Sequence, residues 1–214
     1  MRINADDFSK ELVYQHQGTK QSIKAEAVIL SVGWPGNLEK LNLGAAGIET
    51  DRQYIKVDDY LQTTASHIYA AGDVTGKIML VQSAGSQARV AVENALLGSN
   101  RKAEHKLVPH GGFTDPEYGG VGMTEAQAHE QGNPVVAVVP YADMDRPVID
   151  GHTVGFCKLI VNRDTMQIMG AHVVGEQAVE IVSIVAASIA GKLTVDQVAN
   201  IDFAYPTFAT IVGL

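Results

Sequence analysis

The chain has 214 residues, of which 46% are hydrophobic and 19% charged, a composition typical of a globular protein with one or two domains. The formal net charge of −8 and the lack of any basic run argue against a nucleic-acid partner or an anionic membrane surface. No apolar stretch approaches the roughly twenty residues of a membrane-spanning helix, and no signal-peptide pattern opens the chain, so we expect a cytoplasmic protein. The single cysteine, Cys157, excludes an intrachain disulfide.

The first third of the chain predicts a hairpin, a buried strand and a sharp turn. Residues 1–24 are polar and alternate weakly, as in a hairpin whose beginning is missing. Residues 25–33 form an apolar run that predicts a buried strand, and Pro35 and Gly36 must then turn the chain. The weaker patterns that follow predict a short helix or turn over residues 38–47 and an alternating strand over residues 54–58.

The most informative stretch is a short apolar segment followed by a glycine and a carboxylate. Ile68–Ala71 suits a short buried strand, which leads directly into Gly72 and Asp73. At the carboxyl end of such a strand, a glycine lets a ligand approach the backbone, and an acidic side chain accepts hydrogen bonds from sugar or polyol hydroxyls. Gly-Asp is also an ordinary turn dipeptide, so the pair alone does not distinguish these alternatives.

A helix is predicted directly after this turn, over Leu80–Leu97. Apolar residues recur there at steps of three and four, and Gly98 supplies a stop. Small residues such as Ala84 permit close packing against a sheet or a cofactor. The free N–H groups and the positive dipole end of the helix would face whatever Asp73 binds.

The polar residues 98–106 indicate a linker, and we expect two domains, residues 1–104 and residues 105–214. The second half predicts an antiparallel sheet with helices on one face, which makes the chain α/β followed by α+β. Its predicted elements are a helix capped by Thr124 and Gln127, strands at residues 135–139, 155–161 and 167–174, a helix at 176–190, and a short helix capped by Thr194.

Metal and hydrolase chemistry have no local signature in the sequence. The seven histidines, at positions 16, 67, 105, 110, 129, 152 and 172, are scattered without ligand spacing. No Gly-x-Ser-x-Gly nucleophile elbow is present. We therefore predict no metal site and no hydrolase activity.

Several longer motifs follow one another along the chain. They are Val32-Gly33-x-Pro35-x-Asn37, Thr64-x3-Ile68-Tyr69-Ala70-Ala71-Gly72-Asp73-Val74, Phe113-Thr114-x-Pro116-Glu117-x3-Val121-Gly122-x-Thr124-Glu125, Gly155-Phe156-x-Lys158-Leu159-Ile160, Ile168-x-Gly170-Ala171 and Tyr205-Pro206-Thr207. Together they resemble the flavoprotein pyridine nucleotide-disulphide oxidoreductases. Family members also carry two glycine fingerprints and a Cys-x4-Cys, none of which is in the 214 residues. The chain thus resembles the C-terminal half of such an enzyme, with part of the FAD/NAD-binding region followed by the dimerisation domain.

The resemblance implies FAD as the cofactor of the whole enzyme and a homodimer formed through the C-terminal domain. Asp73 would bind the ribityl chain, with Gly72 allowing its approach. The backbone N–H groups of Leu80 and Val81, at the helix start that also contains Ala84, would point at the flavin pyrimidine ring.

The resemblance also makes Tyr205 a candidate catalytic residue, because it occupies the place of the family's acid–base histidine. The family motif is His-Pro-Thr-x-x-Glu, whereas this chain has Tyr205-Pro206-Thr207 and then Thr210 in place of the glutamate. A tyrosine with an ordinary pKa near 10 does not shuttle protons at neutral pH as histidine does. A packed, hydrogen-bonded tyrosine is the equally good alternative.

These observations lead to two functional hypotheses. The first hypothesis is that the chain is part of a dihydrolipoamide dehydrogenase-like oxidoreductase, which passes hydride between NAD(P)H and FAD. The alternatives for the whole enzyme are a soluble pyridine nucleotide transhydrogenase and a mercuric reductase. The second is that the 214 residues by themselves are an inactive dimerisation module that binds flavin weakly or not at all.

Overall fold

The computed structural model describes residues 10–104 and 107–214, and the chain divides into two compact units at Pro35 and Gly36. The described strands are β1 (Lys10–His16), β2 (Thr19–Ala25), β3 (Thr50–Asp51), β4 (Tyr54–Ile55), β5 (His110–Gly112), β6 (Tyr118–Gly122), β7 (Val135–Pro140), β8 (Phe156–Val161) and β9 (Ile168–Val174). The described α-helices are α1 (Val81–Leu97), α2 (Glu125–Gln131), α3 (Asp145–Asp150), α4 (Ala178–Ala190) and α5 (Val195–Ala199).

The N-terminal unit contains the predicted hairpin. Strands β1 and β2 pair antiparallel from Lys10 opposite Ala25 to His16 opposite Thr19, which leaves a two-residue loop. Both loop residues, Gln17 and Gly18, have positive φ angles, as the tight turns that suit twisted strands require. The hairpin is confirmed from residue 10 onward, and residues 1–9 of that prediction lie outside the described residues.

The strand predicted over residues 25–33 is wrong beyond Ala25. Residues 26–33 have no regular secondary structure, and the side chains of Ile29 and Val32 are 90% and 86% exposed. A strand is stabilised by hydrogen bonds to a neighbouring strand and by a layer that covers its side chains. The described part of the chain supplies neither for this segment, so its apolar composition alone does not make it a strand.

Residues 36–80 form short elements rather than the predicted strands. The helix or turn expected over residues 38–47 is a 3-10 helix at Leu43–Ala46. The strand expected over residues 54–58 shortens to β4, because its partner β3 is only two residues long.

The segment Ile68–Ala71 is extended but is not a regular strand, so this prediction is also wrong. A single bridge joins Tyr69 to Gln62. The Thr63 N–H donates to the Ile68 carbonyl at 2.9 Å, and the Ala70 N–H donates to the Leu61 carbonyl at 3.1 Å. The segment therefore closes a loop on residues 61–63.

Helix α1 confirms the predicted helix and its predicted stop. Gly98 ends it in the left-handed conformation with φ 60°, and its N–H donates to the Asn94 carbonyl. Val90 and Ala91 pack with Leu61 in a small hydrophobic cluster. The buried face of α1 also includes polar side chains, namely Ser83, Gln87 and Asn94.

The C-terminal half is built on a five-stranded antiparallel sheet with the strand order β5-β6-β9-β8-β7. Strands β8 and β9, which match the strands predicted at residues 155–161 and 167–174, pair as a hairpin with a register shift between Ile160 and Val161. Helix α4 packs against β5, β6 and β9, and the 3-10 helix Phe208–Val212 packs against α4 and β8. The predicted mixed fold with an antiparallel sheet and helices is confirmed.

The main hydrophobic core lies between this sheet and α4. Because side chains alternate along a strand, Cys157 and Leu159 face the core while Lys158 faces the other side of the sheet. The core also contains Ala171, Val173, Ile181, Val182 and Val185. Helix α2 borders the opposite face, where the Glu125 carboxylate pairs with the Lys158 ammonium at 2.6 Å. The prediction of helices on one face therefore holds for α4 and not for α2.

The predicted helix starts at Thr124 and Thr194 are both capping boxes. The Thr124 hydroxyl accepts from the Gln127 N–H, and Thr194 does the same with Gln197. Across the described ranges, no helix is both long and apolar enough to cross a membrane.

Candidate functional site

Gly72 lies at the point where the loop after Ala71 meets helix α1. It is buried and has φ 81° and ψ −156°, a conformation that L side chains rarely adopt. A Cβ atom added at Gly72 would lie 3.2 Å from the Ala84 Cβ. Two small residues are therefore needed for the turn to approach the helix, and Ala84 has a packing role in this contact.

Hydrogen bonds from α1 hold the backbone of this turn. The Gly72 N–H donates to the Gln87 Oε1 at 2.7 Å, and the Gln87 amide donates in turn to the Ser83 hydroxyl at 3.1 Å. The Thr75 hydroxyl donates to the Gly72 carbonyl at 2.8 Å. Since these groups are buried, the bonds fix the turn relative to the helix. The sequence signal for these bonds was Gln87, a polar residue on the same face of the predicted helix as the small apolar residues Ala84 and Ala91.

Asp73 begins a 3-10 helix, Asp73–Thr75, immediately after this turn. The residue is half-buried, and its carbonyl accepts a hydrogen bond from the Gly76 N–H at 3.0 Å. A partly exposed carboxylate thus follows directly after the glycine turn that is hydrogen-bonded to α1.

The N-terminus of α1 is formed by apolar residues. Leu80 is the N-cap, in an extended conformation, and its side chain carries no oxygen that could accept from the first N–H groups. Val81, the first helical residue, is 89% exposed. Backbone donors and the positive end of the helix dipole are thus available to a bound group with negative charge.

The residues of this turn and helix fit part of FAD. A carboxylate can accept hydrogen bonds from the ribityl hydroxyls, and an uncapped helix N-terminus can stabilise negative charge on a flavin ring. Of the residues predicted to bind the cofactor, Gly72 lies against Ala84 of α1, Asp73 follows Gly72, and Leu80 and Val81 begin the helix; their binding of FAD stays a prediction.

Tyr205 lies in a different place, beside the C-terminal core. Its side chain is 74% exposed, and its hydroxyl donates to the Asp145 Oδ2 at 2.9 Å. This hydrogen bond, with the negative charge of Asp145, raises the pKa of Tyr205 above its ordinary value. The phenol therefore stays protonated at neutral pH and is a hydrogen-bond donor rather than a base.

A small cavity of about 260 Å³ adjoins this tyrosine. Thr207 and Thr210 line it, and their hydroxyls are 3.3 Å apart. The sequence indicated that Tyr205 has no carboxylate partner because Thr210 replaces the family's glutamate. The structure corrects this, since Asp145 supplies a carboxylate from the start of α3, 60 residues upstream.

Cys157 is the only thiol in the chain and lies in the main core. Burial raises the pKa of this thiol to about 12. A protonated, buried thiol is a poor nucleophile, so Cys157 is a core residue unsuited to thiol chemistry.

Solved structures of flavoprotein disulfide reductases share this fold. The HOCl-induced flavoprotein disulfide reductase RclA from Escherichia coli matches with a TM-score of 0.82 and 28% identity, over 94% of this chain and 48% of that one. LpdA from Mycobacterium tuberculosis matches with a TM-score of 0.83 and 25% identity, over 94% of this chain and 46% of that one. The chain thus shares its fold with slightly less than half of each of these two proteins.

Two family profiles match consecutive parts of the sequence. The profile of the pyridine nucleotide-disulphide oxidoreductases matches residues 2–88, and that of the dimerisation domain of the same family matches residues 108–213. The chain belongs to the pyridine nucleotide-disulphide oxidoreductase family.

The curated relatives are of three kinds. Mercuric reductase from Bacillus cereus is 36% identical over 97% of this chain and 33% of its own length. Soluble pyridine nucleotide transhydrogenase from Aliivibrio fischeri is 36% identical, over 92% of this chain and 43% of its own. Dihydrolipoyl dehydrogenase from Bacillus subtilis is 32% identical, over 94% of this chain and 43% of its own length. The chain therefore spans between a third and a half of the length of these relatives.

Proposed function

We propose that these residues are part of an FAD-dependent oxidoreductase that passes hydride between NAD(P)H and flavin. The observation that carries the proposal is the buried Gly72 turn, which α1 holds through Gln87 and which Asp73 follows directly. A polyol and an electron-accepting ring suit these groups better than a simple anion does, because a carboxylate would repel an anion.

Each residue of the turn has a distinct role in this proposal. Asp73 accepts hydrogen bonds from ribityl hydroxyls, and Gly72 keeps the approach open. The N–H groups of Leu80 and Val81 lie at the positive end of α1, where negative charge on a reduced flavin is stabilised. The bound FAD supplies the hydride acceptor, and the residues of this chain orient it.

Flavin content tests the proposal in the full-length enzyme. The protein is expected to purify yellow, and Asp73→Ala is expected to lower the flavin-to-protein absorbance ratio. Asp202→Ala is the matched control, because Asp202 is an exposed aspartate near the C-terminus. Equal flavin occupancy in Asp73→Ala and the control would overturn the assignment of Asp73.

The electron acceptor is the finer part of the proposal. A dihydrolipoamide dehydrogenase-like enzyme is the general class, but Tyr205 is a protonated donor to Asp145 rather than a base for thiols. This favours the alternatives whose acceptor needs no histidine base, a second pyridine nucleotide or Hg²⁺. Parallel assays with lipoamide, a nicotinamide analogue and Hg²⁺ separate the three, and turnover with lipoamide alone would contradict this preference.

We also propose that the 214 residues by themselves form a homodimer without oxidoreductase activity. The observation that favours this is the extent of the C-terminal core, which α4 and the antiparallel sheet complete independently of the flavin turn. The functional domains in this proposal are residues 1–104 and 105–214, and the start of the dimerisation-domain match at residue 108 supports that division. NADH oxidation by the isolated chain with added FAD would contradict it.

The proposed compartment is the cytoplasm. The acidic composition and the single buried cysteine support it, since neither requires an oxidising environment. Fractionation of cells that produce the native protein tests this assignment.

A further inference from the structure

We propose that His110 and His172 form a binding site for a late first-row divalent cation, Cu²⁺ above all, on the face of the C-terminal sheet opposite α4. The two residues are 62 positions apart in the sequence, on strands β5 and β9. The structure brings them to the two sides of one glycine, Gly120 in β6.

The strand register places the two histidines in one row across the sheet. His110 is directly opposite Gly120 in the β5–β6 pair, and Gly120 is directly opposite His172 in the β6–β9 pair. Residues opposite one another in adjacent strands have side chains on the same face. Both imidazoles therefore extend on the same side, with no side chain between them.

The two rings meet above the glycine. A Cβ atom added at Gly120 would lie 3.1 Å from the His172 Nδ1 and 3.4 Å from the His110 Nε2. One nitrogen of each ring thus borders the same small space. Metal–imidazole bonds are about 2.0–2.1 Å long, so an ion shared by the two rings would lie between these two nitrogens.

Hydrogen bonds at the other nitrogens orient both rings for this role. The His110 Nδ1 is 3.2 Å from the Val108 carbonyl oxygen, and the His172 Nε2 is 3.1 Å from the Met123 carbonyl oxygen. A carbonyl only accepts, so these nitrogens carry the protons in the neutral rings. The lone pairs are then on the His110 Nε2 and the His172 Nδ1, the two atoms beside Gly120. Backbone carbonyls orient metal-binding histidines in this way.

Water would supply the remaining ligands of the ion from the side of His110. Strand β5 is at the edge of the sheet and His110 is exposed, so solvent reaches the His110 ring. The described residues contain no cluster of three or more side chains that could bind a metal ion. Two imidazoles with water favour Cu²⁺, which binds nitrogen ligands more tightly than Ni²⁺ or Zn²⁺ does.

The positive charge of Lys158 does not prevent a metal ion from binding to the two histidines. Lys158 is opposite His172 in the β8–β9 pair, on the same face of the sheet. Its ammonium contacts the Glu125 carboxylate at 2.6 Å, which offsets its charge. The sequence predicted no metal site because that prediction rested on the spacing of histidines along the chain. Such spacing does not reveal two residues that meet only through the pairing of three strands.

Titration of the metal-free chain with Cu²⁺, measured by competition with a chromophoric chelator, tests the proposal. We expect one site of highest affinity, and we expect His110→Gln or His172→Gln to weaken it about tenfold or more, since each removes one of two linked ligands. His67→Gln is the matched control, because His67 is an exposed histidine outside the sheet. Equal Cu²⁺ affinity in the control and in a variant that carries both His110→Gln and His172→Gln would overturn the proposal.

A second variant keeps both imidazoles and removes the space between them. Gly120→Ala places a methyl group against both nitrogens and is expected to weaken Cu²⁺ binding by a similar factor. Circular dichroism checks that each variant retains its sheet. Pulsed electron paramagnetic resonance of the Cu²⁺ complex is expected to show two coupled imidazoles in the wild type and one in each single histidine variant. A wild-type spectrum with one imidazole or none would contradict the site.

Discussion

Gly72 shows how much one residue decides in this chain. Its φ angle of 81° and the 3.2 Å approach to the Ala84 Cβ both disfavour a side chain, one through the backbone conformation and one through a tight contact. The sequence indicated the first reason, since Gly-Asp dipeptides occur in turns. The second reason depends on where α1 passes, which no local pattern contains.

We predict opposite effects for alanine at two glycines near this contact. Gly72→Ala is expected to destabilise the chain by about 1–3 kcal/mol, through backbone strain and the contact with Ala84. Gly85→Ala is expected to stabilise it by about 0.5–1 kcal/mol, because Gly85 is inside α1 with open space at its Cβ position. Chemical denaturation measures both changes, and a neutral Gly72→Ala variant would contradict this description of the turn.

Tyr205 gives a pH prediction at the same scale. Asp145 is the cause of the raised pKa of Tyr205, so Asp145→Asn is expected to lower that pKa toward the ordinary value of tyrosine. The raised pKa means that the hydrogen bond stabilises the fold below the ordinary pKa and is lost as the pH rises through the raised one. Because the pair is exposed, the effect on stability is small.

The titration of Tyr205 is measured by ultraviolet difference spectroscopy, with Tyr205→Phe identifying its contribution among the seven tyrosines. Asp143→Asn is the matched control, since Asp143 lines the same cavity without contacting the Tyr205 hydroxyl. An equal pKa of Tyr205 in the two asparagine variants would show that Asp145 is not its partner.

At the scale of elements, α1 is stabilised by polar contacts as much as by apolar ones. Gln87 accepts from the buried Gly72 N–H, and the Asn94 amide donates to the carbonyls of Tyr60 and Arg101 at 3.0 and 2.8 Å. These bonds join the helix to the loops on either side of it. The apolar cluster beneath the helix is small, with Leu61, Val90 and Ala91 as its buried members.

We therefore predict that removing the Gln87 amide is costly. Gln87→Ala leaves the buried Gly72 N–H without its acceptor and is expected to destabilise the chain by about 1–3 kcal/mol. Ser86→Ala is the matched control on the exposed side of the same helix. The denaturation midpoints of the two variants are compared. Equal midpoints would mean that a water molecule accepts the hydrogen bond from the Gly72 N–H in place of Gln87.

The predictability of the elements follows from where their partners lie. Helices α1 and α4 and the hairpin β8–β9 were predicted because their spacing, caps and turns are local. The strands predicted at residues 25–33 and 68–71 were wrong because a strand depends on distant partners. The candidate site residues follow the same rule. Asp73 and Leu80 were predicted together because they are close in the sequence, whereas the hydrogen bond between Tyr205 and Asp145 joins distant residues and was not predicted.

At the scale of the whole molecule, the chain combines the Gly72 turn, which we propose contacts flavin, with a dimerisation domain. Residues 36–104 present the Gly72 turn and α1, and residues 107–214 contain the larger core, with α4 packed on the sheet. In the proposed enzyme, the first region contacts the cofactor and the second joins two subunits.

Association in solution is the property on which this description of the whole molecule depends. Sedimentation equilibrium of the 214-residue chain over a concentration series up to tens of micromolar measures it directly, without cofactor or substrate. We predict a species with twice the mass of the chain, because the dimerisation domain is matched over residues 108–213 and its core is complete. A monomer throughout the series would contradict the central claim that these residues join two subunits.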